Sequence, residues 1–575
     1  MRDMSKLAND TKHASRIIEV AALAVLCWFV LFHTLGGPAL VEPDEGRNAE
    51  VAREILLLDD WVTPHYDFIP YLDKPMFFYW LVAGAYKLFG VSEFSARLPS
   101  ALAALGCVLL VYDLGRRFAS RWSGLWGGLV LLTSPAFMAF SRAVIFDMPL
   151  AFFITLALWA FARGEMAGGD AGGRFFLVMY GAIAAAMLTK GPIGLAVPAL
   201  VIGGYLFVGQ RRALLGAMKP LYGAAVLLLI AAPWYLWAEA RNPGYLHYFF
   251  FEENFLRYLT PRFGRIQPWY FYFEVLAIGL LPWTAALPLS FIRASGLQNE
   301  HRLLAVLWAA VPFIFFSFSA AKQPGYILPA FPALALLIGA PIARALEAAS
   351  VAARRPLALP WLVLLTAFGF FSLGLFWPQL LPPGLADVTS RIPEFIGRFS
   401  STIIPILFIL LLILIGASLY ASRMRYYVAT CIFFAAFHLF SLGIFSEVSR
   451  IRSSKELAEK ALPLIEPGDQ LVIYNDYLSS LPFYMRAEQP LWVVLPVHGG
   501  AVMGSFYIAE KKPEAVRGSG SAILSFDKFA ELWDHSPARL VVFVQEKKLS
   551  RLAEDVGAAP KRLLTVGDIA LVSNR

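Results

Sequence analysis

The sequence predicts a polytopic α-helical membrane protein with a small C-terminal α/β domain outside the membrane. Hydrophobic residues make up 58% of the 575 residues and charged residues only 16%, and the mean hydropathy is +0.61. Globular proteins average about 45–50% apolar and about 25% charged residues. The composition therefore excludes a water-soluble fold, intrinsic disorder and a collagen-like structure. It changes after about residue 448, which sets the C-terminal segment apart.

About thirteen apolar runs are long enough to cross a hydrocarbon core of about 30 Å. The first follows a basic tail, lacks an Ala-x-Ala-like cleavage site and exceeds the usual signal-peptide length, so we expect it to be retained. Lys190-Gly191-Pro192 separates two of the later runs. The runs lie near residues 17–35, 97–115, 122–141, 147–163, 175–189, 191–208, 220–238, 270–292, 303–319, 326–344, 358–377, 401–420 and 426–446.

Basic residues predict the orientation of these spans. Short loops rich in arginine and lysine alternate with loops that lack them, and the positive-inside rule places the basic loops and the N-terminal tail in the cytoplasm. An odd number of spans then puts the C-terminal segment on the outer side. The basic loops contain Arg116, Arg117 and Arg121; Arg211, Arg212 and Lys219; Arg344, Arg354 and Arg355; and Arg423 and Arg425.

We divide the chain into a membrane domain, residues 1–448, whose first outer loop covers 36–94, and a soluble α/β domain, residues 449–575. In the latter, Ser453–Glu456 opens a predicted helix, and 471–474 and 540–544 resemble buried strands. The 49 basic and 41 acidic residues form no basic run, which argues against nucleic acid as a partner. Three widely spaced cysteines argue against a disulfide framework or a zinc cluster.

The charges nearest the membrane segments gather on the predicted outer side. Transporters are expected to place ionisable groups near the midplane, between related halves, and no internal repeat is visible here. The pattern favours an enzyme that acts on a lipid headgroup at the outer surface, with the 49–58 and 76–89 stretches as interfacial helices. The outer charges are Asp44, Glu45, Asp73, Lys74, Asp147, Lys190, Glu252, Glu253, Arg257, Arg262, Arg265 and Lys322.

Each of these charges also has a structural interpretation. Asp44 and Asp147 could cap the helices that follow them, and Lys190 or Lys322 could snorkel at the end of a span. The arginines of the 239–269 loop could form a solvated face. Taken singly the signals are weak, and the hypothesis of a site rests on their coincidence on one face.

Several motifs resemble the lipid A 4-amino-4-deoxy-L-arabinose transferases, within the protein O-mannosyltransferase superfamily and its GT-C membrane fold. The resemblance covers roughly residues 17–345, and its motifs are more specific for the superfamily than for one sugar or acceptor. The matching stretches are Asp44-Glu45-Gly46-Arg47-Asn48-Ala49-Glu50, Tyr71-Leu72-Asp73-Lys74-Pro75, Tyr79-Trp80, 90–97, Phe146-Asp147-Met148-Pro149, 188–192, 233–235, 247–250 and 322–329.

The resemblance implies transfer of a sugar from a polyprenyl (undecaprenyl) phosphate carrier to an acceptor on the periplasmic side of a bacterial inner membrane. The first hypothesis is 4-amino-4-deoxy-L-arabinose transfer to a lipid A phosphate. The second is transfer of another sugar, for example a mannose-like hexose, to a protein, lipid or other glycan. A transporter of lipid-linked sugar is the third. The partners would be the donor, the acceptor and membrane lipids.

The resemblance also implies site roles. Asp44 would be a base or an acceptor-orienting carboxylate, with Glu45 and Asp147 in support, and inversion at the anomeric carbon is expected. Donor phosphate would bind to Lys74, Lys190, Arg257, Arg265 and Lys322, helped by Tyr326. Tyr71, Tyr79 and His247 would line the substrate cavity.

The expected metal chemistry departs from the family. Members often have Glu-Lys-Pro at Asp73-Lys74-Pro75 and Glu-His at Glu253-Asn254, and those Glu and His positions can hold zinc. The missing imidazole argues against zinc in this chain. Asp73 and Glu253 could still hold a hard divalent cation through oxygen, and we expect no other cofactor.

Overall fold

The computed structural model describes residues 17–261, 264–288, 296–348, 350–376, 393–495, 501–511 and 522–575. The basic N-terminal tail and Arg262 lie outside the described residues. The chain separates into two compact units, which are described in turn. The first falls within Met1–Leu35, Ser100–Ala232 and Phe255–Glu447, and the second within Gly36–Pro99, Pro233–Asn254 and Val448–Arg575.

The chain up to residue 451 is mostly helical, as predicted. Seven helices of the described residues are long and apolar enough to cross a membrane, and up to eight if a bent pair forms one span. The chain is therefore a multi-pass membrane protein. These helices are Glu93–Phe118, Asp147–Ala167, Gly169–Lys190, Leu214–Arg241, Asn299–Ser317, Pro324–Glu347 and Arg423–Ile451, with the bent pair Arg121–Thr133 and Pro135–Ser141.

Shorter apolar helices account for the remaining predicted runs. Each of these runs contains helical residues, but the count of thirteen crossings stays a prediction. They are Ile17–Phe32, Ile193–Val208, Arg355–Gly369 and Pro405–Tyr420, together with Phe271–Gly279, and Phe77–Phe89 is a further apolar helix. Short helical turns lie at Leu214–Met218, Arg257–Leu259, Trp283–Ala286, Pro324–Ala330, Val351–Arg354 and Arg355–Ala358.

Two predicted spans are interrupted. The 122–141 run bends by 68° between its two helices, where Ser134 is extended and Pro135 begins the second helix. The 270–292 run was predicted as one span, but its first helix ends at Gly279, and a 3₁₀ turn, Trp283–Ala286, follows Pro282. Residues 289–292 of this run lie outside the described residues. Proline lacks the amide hydrogen that continues a helix, so apolar length overestimated the regular helix at both places.

Small residues let helices of the first unit approach closely. A Cβ on Gly339 would lie 2.5 Å from the backbone nitrogen of Gly127, so Phe331–Glu347 packs directly on Arg121–Thr133. A Cβ on Gly172 would lie 2.7 Å from the carbonyl oxygen of Gly164, which joins Asp147–Ala167 and Gly169–Lys190. Close backbone contact of this kind is the usual packing mode of membrane helices.

The second unit begins with two helices and a short hairpin from the first outer loop. The helices predicted at 49–58 and 76–89 are present as Asp44–Leu58 and Phe77–Phe89. Between them, β1 (His65–Tyr66) pairs antiparallel with β2 (Ile69–Pro70). Gly46 allows a close approach, because a Cβ there would lie 2.6 Å from the Cα of Ser480. The C-terminal segment thus packs against the helix that carries Asp44.

The rest of the second unit contains a six-stranded mixed sheet of order β5-β4-β3-β6-β8-β7. The two runs predicted as buried strands are β3 and β6, which pair in parallel with Gln470 opposite Leu540. The strands are β3 Gln470–Tyr474, β4 Trp492–Val494, β5 Ile523–Leu524, β6 Leu540–Gln545, β7 Lys561–Val566 and β8 Ile569–Ser573. Helices are Lys455–Ala461, Leu481–Met485, Phe506–Lys511, Phe526–His535 and Leu549–Val556.

Candidate functional site

Asp44 opens the first helix of the second unit but does not cap it. The N-cap residue is Pro43, which makes no side-chain capping bond, so the capping interpretation of Asp44 is wrong. Instead, the Asp44 carboxylate accepts a short hydrogen bond from Arg47, one helical turn later. The Asp44 side chain remains 47% exposed. It is therefore a carboxylate held by one cation and open to solvent.

Glu45, the next residue, has the opposite environment. Its side chain is only 6% exposed, and Arg97 Nε and Nη2 each donate to one of its oxygens at 2.8 Å. The Val41 amide donates to the same carboxylate at 2.9 Å. Arg97 also donates to the carbonyls of Pro38 and Ala39. The buried Glu45–Arg97 pair therefore stabilises the conformation of the loop before Asp44.

Lys74 and Glu253 form a close ion pair within the second unit. Lys74 Nζ lies 2.5 Å from Glu253 Oε1 and 2.9 Å from the carbonyl oxygen of Asp73. The Asp73 carboxylate accepts hydrogen bonds from the Tyr248 hydroxyl at 2.8 Å and from the Tyr507 amide at 3.3 Å. The ammonium is thus held in place by groups from two separate stretches of the chain.

Tyr71 links these two ion pairs. The Arg47 guanidinium carbon lies 5.9 Å from the centre of the Tyr71 ring. Burial raises the pKa of the Tyr71 phenol, Arg47 lowers it, and the carboxylates of Asp73, Glu253 and Asp44 raise it further. All four charges therefore act on one buried hydroxyl. We call Asp44, Arg47, Tyr71, Asp73, Lys74 and Glu253 the first cluster.

The other residues predicted for a substrate cavity lie differently. Tyr79 is fully buried, and its hydroxyl lies 3.4 Å from Asn48 Oδ1. The His247 side chain is 68% exposed, with its Nδ1 3.4 Å from Glu252 Oε1. Tyr71 and Tyr79 belong to the interior that supports the first cluster, whereas His247 lies at the surface of the second unit.

The first cluster does not fit a bound divalent cation. Among the described residues no group of three or more His, Cys, Asp or Glu side chains could hold a metal ion. Asp73 and Glu253 supply only two carboxylates, and the Lys74 ammonium already pairs with Glu253. The Lys74 ammonium would repel a divalent cation at Glu253, and the described side chains supply few of the oxygen ligands that such a cation prefers.

A second cluster lies within the first unit. The Asp147 carboxylate accepts a hydrogen bond from Lys190 Nζ at 2.6 Å, and Lys190 Nζ lies 4.8 Å from the centre of the Tyr326 ring. A Cβ on Gly325 would lie 2.5 Å from Asp147 Oδ1, so this position must lack a side chain. The N-cap of this helix, Phe146, makes no side-chain capping bond. Asp147 is an ion-pair partner and not a cap.

The remaining cations of the first unit differ in how they are held. Lys322 is buried, and its Nζ donates to the carbonyls of Ser319 at 2.7 Å and Gln267 at 3.3 Å. Its amide donates to the carbonyl of Arg265, whose own side chain is exposed. Arg257 is half-buried at the end of a π-helical segment. We call Asp147, Lys190, Lys322 and Tyr326 the second cluster.

Sequence reasoning missed the partners that hold these charges. Arg47 and Arg97 stand in the quoted motifs but received no role, and Tyr248 and Tyr507 were not singled out. The signal for Arg97 was a cation among apolar residues near the start of a span, which calls for a buried acidic partner. The bond from the Tyr507 amide has no sequence signal, because it depends on contact across 434 residues.

Comparison with known proteins gives the family. Residues 73–237 match the family model of dolichyl-phosphate-mannose-protein mannosyltransferases. An undecaprenyl phosphate-alpha-4-amino-4-deoxy-L-arabinose arabinosyl transferase of Pectobacterium carotovorum is 31% identical over 398 residues, covering 66% of this chain and 70% of the relative. This chain belongs to that transferase family. The family assignment agrees with the resemblance found in the motifs.

Other relatives differ in how much of their length is matched. The Edwardsiella ictaluri transferase is 34% identical over 332 residues, which cover 56% of this chain but only 59% of the relative. The chain thus spans about three fifths of several curated relatives that it matches. The crystal structure of ArnT from Cupriavidus metallidurans bound to undecaprenyl phosphate has a TM-score of 0.84 and 25% identity, covering 97% of this chain and 98% of that chain. Its fold is therefore shared along nearly the whole length.

Proposed function

We propose that this chain transfers 4-amino-4-deoxy-L-arabinose from undecaprenyl phosphate to a lipid A phosphate. The observation that carries the proposal is the first cluster, in which a half-exposed carboxylate, Asp44, pairs with Arg47. Arg47 lies over the Tyr71 ring, and Lys74 pairs with Glu253 beside Asp73. A polyprenyl-phosphate sugar is already activated, so such a site needs cations for the leaving phosphate and a group that orients the acceptor. Membership of the family supports the choice of sugar and carrier.

The cations are assigned to the donor phosphate. Negative charge grows on the phosphate as the glycosidic bond breaks, and charge-assisted hydrogen bonds strengthen with it. Lys74 is held by Asp73 and Glu253, so it binds without first being ordered. In the first unit, Lys190 and Lys322 are also held in place before a donor binds, and Tyr326 lies beside Lys190. Arg257 and Arg265 complete the proposed set of donor-binding residues.

Asp44 is assigned to the acceptor. Its exposed carboxylate, next to Arg47, can receive the proton of a hydroxyl acceptor directly. A lipid A phosphate is already ionised near neutral pH, and then the Asp44 carboxylate mainly positions the groups around it. The acceptor oxygen attacks the anomeric carbon as the bond to the polyprenyl phosphate oxygen breaks, with inversion of configuration. Glu45 and Asp147 act as positioning residues, because each is paired with a buried cation.

The proposed topology follows the predicted spans. Thirteen crossings, with cytoplasmic basic loops, place both the first outer loop and the C-terminal segment on the periplasmic side of a bacterial inner membrane. The proposed domains remain 1–448 in the membrane and 449–575 outside it. The alternating arginine-rich loops and the helices at every predicted run support this arrangement.

The alternative is transfer of a mannose-like sugar to a protein or another glycan. The match of residues 73–237 to the mannosyltransferase family model favours this alternative. Both functions would use the same two clusters, so geometry does not separate them. A transporter of lipid-linked sugar is less well supported, because its ionisable groups would be expected at mid-membrane.

Mass spectrometry of lipid A decides between these functions. We expect lipid A from cells that carry the gene to contain a pentosamine on phosphate, which deletion removes and the wild-type gene restores. The Asp44→Asn variant, expressed at the same level, is the matched control that should not restore it. Lipid A that is unchanged by deletion would overturn the proposal in favour of another acceptor.

A further inference from the structure

A tight turn in the C-terminal segment contacts the first outer loop within the second unit. Val502 and Ser505 bond to each other in both directions, at 3.0 and 2.8 Å. Met503 and Gly504 form the turn with φ of 52° and 78°. Met503 and Tyr507 are buried. We call Val502–Tyr507 the 502–507 segment, and its burial and paired backbone show that it is folded against its neighbours.

The tip of this segment lies against Arg47. A Cβ on Gly504 would stand 2.6 Å from Arg47 Nη1, so any side chain at this position would displace the guanidinium. The left-handed φ of Gly504 independently favours glycine. Arg47 is the cation that holds the Asp44 carboxylate and lies over the Tyr71 ring. The position of the guanidinium therefore depends on the absence of a side chain at residue 504.

The other end of the segment holds Asp73. The Tyr507 amide donates to Asp73 Oδ1 at 3.3 Å, and the Tyr248 hydroxyl donates to the same oxygen at 2.8 Å. The two tyrosine rings pack edge to face, with centres 5.1 Å apart. The carbonyl of Asp73 in turn accepts a hydrogen bond from Lys74 Nζ at 2.9 Å. Tyr507 thus acts on Lys74 through Asp73.

We propose that the 502–507 segment is a positioning element for the phosphate of the polyprenyl donor. It touches no reacting group itself, but it fixes Arg47 through Gly504 and Lys74 through Tyr507. This inference rests on the proposed function and extends it by giving the C-terminal segment a part in donor binding. It predicts that donor affinity depends on Gly504 and Tyr507, which are 457 and 433 positions away from the cations they place, Arg47 and Lys74.

The test uses the purified full-length protein and undecaprenyl phosphate as the binding probe. We expect Gly504→Ala and Tyr507→Ala each to weaken binding roughly tenfold. The first displaces the Arg47 guanidinium, and the second removes the ring that packs on Tyr248, whose hydroxyl donates to Asp73. In transfer assays they should raise the KM for the donor and leave the KM for the acceptor unchanged. Tyr507→Phe is the matched control and should bind as the wild type does, because it keeps both the amide and the ring against Tyr248.

Thermal unfolding of each variant separates positioning from folding. If Tyr507→Ala or Gly504→Ala does not fold, Tyr248→Phe decides, since it removes only the hydroxyl bond to Asp73 and should still weaken donor binding. Equal binding by wild type and all folded variants, or an equal rise in both KM values, would overturn the inference alone. Failure of the wild type to bind undecaprenyl phosphate would instead overturn the proposed function.

Discussion

Adjacent acidic residues can have opposite roles, and Asp44 and Glu45 show how. Both stand in the first turn of the same helix, and both are acidic. The Glu45 carboxylate is buried and uses both oxygens on Arg97, whereas nearly half of the Asp44 side chain faces solvent. A group that must meet a substrate has to remain accessible. Of the two, only Asp44 satisfies that condition. Asp44 is therefore the candidate reactive group, and Glu45 stabilises the loop before it.

Asp44→Asn should abolish sugar transfer while leaving the fold and carrier binding intact. The amide keeps the size of the side chain but neither takes a proton nor pairs with Arg47 as a charge, and loss of such a group costs about 10²-fold or more in rate. Transfer by purified protein, followed by mass spectrometry, measures the effect. Asp59→Asn is the control at the exposed, left-handed end of the same helix. Near wild-type turnover of Asp44→Asn would contradict the assignment.

Glu45→Ala should act on stability more than on chemistry. Removing one partner of a buried ion pair leaves the other charge uncompensated, which costs about 3–5 kcal/mol. We expect a lower thermal midpoint and a lower yield of folded protein. Replacing Arg97 with methionine in the same variant should restore part of the stability. A variant with unchanged thermal midpoint and lost activity would instead indicate a direct catalytic role.

At the scale of elements, Asp44, Asp147 and Lys190 stand at helix ends, and turns bring neighbouring groups to charges of this kind. The Pro324–Ala330 turn brings Gly325 against Asp147 and Tyr326 beside Lys190. The Asp44–Leu58 helix and the turn of the β1–β2 hairpin carry a separate group of buried charges, Glu50, Arg53, Glu54 and Asp67. In both cases the function of an element is to bring a main-chain group or a small residue close to a charged side chain.

Lys322→Ala should weaken use of the donor more than use of the acceptor. The Lys322 amine is fixed by the carbonyls of Ser319 and Gln267, which leaves its charge available to a phosphate. Separate measurements of the donor and acceptor KM test this expectation, with the thermal midpoint as a check on folding. Equal changes in both constants would show that the lysine only supports its loop.

A group of buried acids should make stability depend on pH. Asp67 is fully buried and accepts a 2.9 Å hydrogen bond from the Leu491 amide. Burial raises its pKa to about 8, against the lowering effect of that bond and with a further rise from Glu50. The pKa of Glu54 is also raised by burial, Glu50 and Asp67, whereas Arg53 lowers it. Glu50, Glu54 and Asp67 therefore form a group of carboxylates, of which Glu50 pairs with Arg53.

The sign of the effect follows from the folded-state pKa of Asp67, which lies above its usual value of 3.8. The contribution of protonated Asp67 to the free energy of unfolding is present in full at low pH and is lost as pH rises through about 8. We expect the thermal midpoint of Asp67→Asn to fall less than that of the wild type between about pH 6 and 9. Asp534→Asn, at an exposed position, should follow the wild type. Identical pH profiles for Asp67→Asn and the wild type would refute the expectation.

At the scale of the whole molecule, orientation in the membrane can be tested with cysteines. The three native cysteines are buried, so an added cysteine should dominate labelling. We expect Asp534→Cys to react with a membrane-impermeant maleimide in intact spheroplasts, and Arg212→Cys to react only after permeabilisation. Both parent residues are exposed. The reverse pattern would contradict the periplasmic placement of the C-terminal segment.

Much of the architecture could be predicted from the sequence because hydrophobic length, proline and basic loops act locally. Every predicted run contains helical residues, β3 and β6 lie where strands were expected, and the family follows from short motifs. The 122–141 and 270–292 runs are interrupted within their described residues, since total apolarity does not report where a helix breaks. The roles of Asp44 and Asp147 as caps were also wrong, because nearby cations compete for a carboxylate.

The sequence by itself determined that this is a membrane protein of a sugar-transferring family with few charges, which it placed on one predicted side. Only the tertiary structure decided which charge pairs with which. Glu45 with Arg97, Lys74 with Glu253 and Asp73 with Tyr507 join residues from 52 to 434 positions apart. Such contacts leave no periodic pattern in the chain. They form because a buried charge must find a partner, and the fold alone determines which one is within reach.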